Sequence, residues 1–143
     1  MVPINYLAVL VSTVVMIVLG SLWYGPLFGK KWIALMGFDM NKVQEMQAKG
    51  MGAMWKSYAL MGLGALIMSF VLANSISFTK IVLGTTGMAA GMQAAFWNWL
   101  GFIVPVSLGT VLWEGKPWKL WFLNAGYYLV GLLLIGTLLA VWM

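Results

Sequence analysis

The chain has 143 residues, 63% of them hydrophobic and only 8% charged, against roughly 25% charged in an ordinary soluble domain. So little polar residue cannot cover a water-facing surface, and the exterior is read as lipid-facing. Cysteine, histidine and arginine are absent, which removes disulfides, thiolate and imidazole metal ligands and the commonest acid–base group.

Charge-free intervals run over 1–29, 57–79, 81–113 and 120–143. Each exceeds the ~20 residues that a helix needs to cross a ~30 Å hydrocarbon core. The pattern predicts an all-α membrane fold in one domain, 1–143, with four transmembrane helices at about 6–23, 57–78, 88–112 and 118–141. The first span has no basic segment before it and no Ala-x-Ala pattern after it, so it is expected to stay in the mature protein as a membrane helix. Trp23-Tyr24-Gly25-Pro26 is expected to end it, because Gly and Pro cannot comfortably continue a helix.

The following loop, about 27–50, interleaves Phe28, Trp32, Ile33 and Leu35 with Lys30 and Lys31. That alternation suits a short amphipathic helix lying in the membrane interface, stopped by Gly37. A second short helix is expected over 40–49, with Asp39 as N-cap and a Glu45–Lys49 pair four residues apart. The second span carries Asn74 and Ser75 near its far end.

The turn Gly84-Thr85-Thr86-Gly87 opens the third span. Along it, Gly87, Gly91, Ala94, Asn98, Gly101, Pro105 and Gly109 follow at steps of four, three, four, three, four and four. Steps of that kind predict one face of small and polar residues along which helices pack closely. The third span is therefore expected to be the most protein-buried, packed on the second span or on a symmetry mate, with Asn98 hydrogen-bonded in the seam. Pro105 lies ~12 Å deeper than Trp113 at ~1.5 Å per residue, near the midplane, and cannot donate to the Gly101 carbonyl. Gln93 and Asn98 add uncharged polarity on this span, and Asn124 does so on the fourth.

Seven of the eight lysines lie between spans one and two or between spans three and four; only Lys80 lies on the other side. Lysine excess marks the cytoplasmic face, so loops 24–56 and 113–119 are expected inside and both termini outside. Trp23, Tyr24, Trp32, Trp55, Tyr58, Trp113, Trp118 and Trp121 cluster beside the same ends, where amphipathic rings prefer to sit. The net charge of +5 is thus read as headgroup contact and orientation, and nucleic acid is not an expected partner.

No ionisable residue falls at mid-depth, where proton paths and charged substrates are usually served. Glu114 sits at the rim, with Lys30, Lys31 and Lys116 as candidate salt-bridge partners. No catalytic residue, metal or cofactor is expected. The inventory points to a non-catalytic membrane protein, an oligomerising or accessory module whose partners are the bilayer and a second copy or another membrane protein. The alternative is a small channel or uniporter with a polar path through Asn98, Gly101, Pro105 and Gln93.

Two sets of motifs resemble a known family. Asn5-Tyr6-Leu7 and Gly20-x-x-Trp23-Tyr24-x-Pro26-x-Phe28-Gly29-Lys30-x-Trp32 are similar to the DUF1761 family of small membrane proteins. So are Gly101-Phe102-x-x-Pro105, Trp113-Glu114-Gly115-Lys116-Pro117 and Asn124-Ala125-Gly126-Tyr127, with Lys116 where the family is associated with arginine. The resemblance spans essentially the whole chain. It implies four helices and, the family being of unknown function, no activity and no catalytic residues. A fainter likeness joins the two halves: Asn5-Tyr6-Leu7-Ala8 to Asn98-Trp99-Leu100-Gly101, and Leu22-Trp23-Tyr24-Gly25 to Leu112-Trp113-Glu114-Gly115.

Overall fold

A computed structural model of the chain describes residues 4–37, 41, 44, 45 and 55–142. Its elements are α1 (Tyr6–Leu22), α2 (Gly29–Met36), α3 (Trp55–Leu83), α4 (Gly87–Asn98), α5 (Val104–Ser107), α6 (Gly109–Leu112) and α7 (Trp118–Trp142). A kinked π-turn over Trp23–Leu27 follows α1, and a second π-turn over Trp99–Ile103 joins α4 to α5. The result is four helical spans long and apolar enough to cross a membrane: Tyr6–Leu27, Trp55–Leu83, Gly87–Leu112 and Trp118–Trp142. The second short helix expected over 40–49, with Asp39 as its cap and the Glu45–Lys49 pair, lies for the most part outside the described residues.

Local chemistry explains several of the helix ends. The Asn5 side chain accepts from the Ala8 N–H at 3.1 Å and so starts α1, satisfying one of the free donors of a first turn. The regular α-helix ends at Leu22, just before Trp23-Tyr24-Gly25-Pro26, as expected, although the span reaches Leu27. The chain kinks at Gly25, whose φ −106° and ψ −106° are not helical, and the Phe28 N–H donates to the Trp23 carbonyl at 2.9 Å across the bend. Gly37, at φ 75°, closes α2 in the left-handed conformation that glycine adopts freely. Helix α3 does not stop before Lys80: it runs to Leu83 and ends at Gly84, left-handed at φ 67°, and the Lys80 ammonium reaches the Ala140 carbonyl at 2.9 Å. There a cation meets one of the last carbonyls of α7, the negative end of its dipole.

The core lies around α7, whose buried residues are Leu120, Ala125, Tyr127, Gly131, Leu132, Ile135, Gly136, Leu139 and Ala140. Its most extensive neighbour is α4; α1 and α3 pack closely on one another and both reach α7. Three glycines of α7 take the approach of other helices. A Cβ on Gly126 would lie 3.6 Å from Trp23 Cζ2, one on Gly131 only 2.6 Å from Met16 Sδ, and one on Gly136 2.7 Å from the Gly91 carbonyl oxygen. In lipid, where apolar surface gains little by pairing with apolar surface, such close approach supplies the dispersion contact that holds helices together.

Two expectations about the third span are corrected. The most buried span is the fourth; in the third, Ala90, Gly91, Ala94 and Ala95 are buried and nothing from Trp99 to Leu112 is. Nor does the seam Gly87–Gly109 keep to one face. Gly91 and Ala94 turn inward, and Gly91 abuts Gly136 of α7 rather than the second span, whereas Gly101 and Pro105 are exposed. The π-turn over Trp99–Ile103 is the cause: its extra residue rotates everything after it relative to α4.

Candidate functional site

Four of the side-chain hydrogen bonds between helical segments converge on one stretch of α7, Leu123–Tyr127. The π-turn at the end of α1 aims two adjacent aromatics at it. Trp23 Nε1–H donates to the Leu123 carbonyl at 3.1 Å, and the Tyr24 hydroxyl to Asn124 Oδ1 at 2.7 Å. From the second π-turn, Trp99 Nε1–H donates to the Ala125 carbonyl at 2.8 Å. Tyr127 returns the contact: its hydroxyl donates to the Met16 carbonyl of α1 at 3.0 Å. A Cβ at Gly20 would come within 3.0 Å of that hydroxyl oxygen, so the glycine leaves room for the ring to reach the backbone.

Rings fill the space between these bonds. Trp23 packs on Phe28 and Tyr127 at centroid distances of 4.8 and 6.3 Å; Tyr24 meets Trp32 and Tyr127 edge-on at 5.8 and 5.4 Å. Tilted and edge-on pairs at these distances match the ring quadrupoles. The Tyr24–Trp32 pair also pins α2, and Lys116 Nζ donates to the Met36 carbonyl at its far end, 3.0 Å away. At the opposite end of the molecule, Asn5 Nδ2 donates to the Trp142 carbonyl at 3.3 Å, beside the Lys80 contact. The fourth span is therefore held near both ends by side chains from elsewhere.

The residues singled out from sequence fall outside this cluster. Asn98 does not bridge helices; its Nδ2 donates to the Ala94 carbonyl of its own helix at 2.7 Å. Gln93, Gly101 and Pro105 are exposed on the outer face of the third span, so the four do not line a path within one chain. Gly87 and Gly101 have open space where a Cβ would go, and Gly109 has only Trp113 nearby, at 3.8 Å. The expected rim salt bridge is also corrected. Glu114, Lys30 and Lys31 are exposed, and Lys116 goes to the Met36 carbonyl, because the 113–117 turn carries its stem toward α2. Among the described residues, no group of three His, Cys, Asp or Glu side chains could hold a metal ion. The likeness between the halves finds no counterpart: Asn5 caps a helix start, whereas Asn98 lies ~16 Å along its span, at ~1.5 Å per residue.

What sequence reading missed was the pairing, and the signal for it was present. The motifs Gly20-x-x-Trp23-Tyr24 and Asn124-Ala125-Gly126-Tyr127 meet in space, each supplying the donor, acceptor or gap that the other needs. The sequence model of a family described as "Protein of unknown function (DUF1761)" matches residues 7–140, nearly the whole chain. Neither the curated proteins nor the solved structures yield a match.

Proposed function

The chain belongs to the DUF1761 family, and from that footing we propose that it is a non-catalytic multi-pass membrane module that assembles with a second copy of itself through the third span. One observation carries the reading. On α4, before the π-turn shifts the register, Ala89, Gln93 and Trp97 recur at steps of four, and all three are exposed. A ridge at that spacing is the element that interdigitates when two helices cross. It carries, in Gln93, an amide without a partner among the described residues. Hydrocarbon cannot satisfy it. An amide both donates and accepts, so two Gln93 side chains related by a two-fold axis complement one another.

The aromatic and polar groups around Leu123–Tyr127 support the same reading, since they are spent on one another and offer no nucleophile, base or ion ligand. The competing reading, a channel, would need its path to run between copies, because Gln93, Gly101 and Pro105 face outward. Energy transfer between donor- and acceptor-labelled chains in liposomes, diluted progressively with lipid, tests the proposal. Gln93→Leu should weaken association about 3- to 30-fold, the range of an interhelical side-chain hydrogen bond at ~0.6–2 kcal/mol. A wild-type chain that stays monomeric when concentrated would overturn it. Solute flux through sealed liposomes that is lost on Asn98→Ala would favour the channel instead.

A further inference from the structure

The lysine-rich end holds a second feature, independent of the ridge on the third span. Lys30 and Lys31 on α2, Lys56 on the first turn of α3 and Lys119 on the first turn of α7 are all exposed. Lys30, Lys31 and Lys119 have no partner among the described residues, and Lys56 lies 5.9 Å from the centre of the Trp55 ring. Lys116 is half-buried and committed to the Met36 carbonyl. The only carboxylates among the described residues of this end are the exposed Glu45 and Glu114, so cations outnumber anions five to two. At the other end the single lysine, Lys80, is already engaged with the Ala140 carbonyl.

From this asymmetry we propose that the lysine-rich rim is a binding surface for anionic phospholipid headgroups, organised by α2. The placement is specific. The apolar residues of α2, Trp32, Ile33, Leu35 and Met36, are half-buried, while Lys30 and Lys31 face out. The helix is fixed in that attitude at its middle and at its far end, by the Tyr24–Trp32 ring contact and by the Lys116–Met36 bond. Its two ammoniums are thus held at the rim before any lipid arrives, which lowers the ordering cost of binding. Trp55 opens α3, Trp113 follows α6 and Trp118 opens α7, and all three are exposed, at 61%, 89% and 51%. Indole rings settle among headgroups, which sets the lysines at phosphate height. Positive charge at that height attracts anionic lipid by about five-fold for each lysine and loses its reach within a Debye length.

The rim tryptophans report on their own surroundings. The full chain is reconstituted in phosphatidylcholine bilayers containing either brominated phosphatidylglycerol or brominated phosphatidylcholine, and tryptophan quenching gives the relative affinity of the two lipids. The wild type should prefer the anionic lipid about five-fold or more, and 0.5 M salt should reduce the preference. The triple variant Lys30→Gln, Lys31→Gln, Lys119→Gln should bring it close to one. The matching arginine variant keeps charge and should retain the preference, which separates loss of charge from loss of fold. Equal quenching by both lipids in the wild type refutes the proposal, as does a triple glutamine variant that retains both its fold and the full preference. If millimolar inorganic phosphate abolishes the preference at constant ionic strength, the surface is a phosphate site and not a lipid site.

Discussion

Replacing Gly91 by alanine puts a methyl group into the contact between α4 and α7. The new Cβ would stand 2.2 Å from the Gly136 carbonyl oxygen, 2.7 Å from its carbon and 2.8 Å from Ala140 Cβ. The first two obstacles are backbone, so no rotamer change relieves them. The helices must separate by about 1 Å to reach ordinary contact, and a gap of that size forfeits a quarter to a half of each dispersion well along the seam. Overpacking a fitted interface costs typically ~1–3 kcal/mol, offset by up to ~1 kcal/mol from the higher helix propensity of alanine. A net loss of ~2 kcal/mol is expected. Gly101→Ala is the matched control, since no heavy atom lies within 4 Å of its Cβ position. Its fold stability should stay within ~1 kcal/mol of wild type, on the favourable side. Unfolding from mild detergent by added dodecyl sulfate, followed by tryptophan fluorescence at protein dilutions where the chain is monomeric, compares the two. If Gly91→Ala is no less stable than Gly101→Ala, the close α4–α7 packing is refuted.

Tyr24→Phe and Asn124→Ala remove the two halves of one 2.7 Å hydrogen bond. Each should destabilise the chain, and a double-mutant cycle should return a coupling of ~0.6–1.7 kcal/mol; no coupling would mean that the bond contributes nothing in the bilayer. Glu114 is exposed and outside any ion pair among the described residues, so Glu114→Gln should leave the unfolding midpoint and the assembly state unchanged. Loss of self-association in a folded Glu114→Gln chain would give that carboxylate a role that its surroundings do not indicate. The absence of native cysteine makes topology simple to map. With the lysine-rich end in the cytoplasm, Thr86→Cys should react with an impermeant thiol reagent in intact cells and Glu114→Cys should not; the reverse pattern would invert the orientation.

How much of this was legible beforehand depended on the range of the interaction involved. Helix number, span positions and the amphipathic α2 follow from composition, charge spacing and single residues such as Gly37, because lipid and water act on each segment separately. What a charge does at a helix end was less legible: α3 runs past Lys80 to the stop at Gly84, and Lys80 finds the Ala140 carbonyl, 60 residues away. The face of the third span was misread for a related reason. Small-residue spacing presumes an unbroken 3.6-residue helix, and the π-turn ahead of Pro105 shifts the register partway along.

Lipid-facing composition and local stop signals were enough to determine, from the sequence alone, that this protein is a four-span α-helical membrane protein with its positive charge gathered at one end. Only the tertiary structure decided that α7 is the hub, that Trp23, Tyr24 and Tyr127 bind α1 to it, and that Gly91 serves an internal seam while Gly101 faces out. In a bilayer every span is apolar all round, so no hydrophobic stripe in the sequence distinguishes a helix facing protein from one facing lipid. That choice rests on fits of a few tenths of an ångström between glycines, rings and carbonyls that lie far apart along the chain.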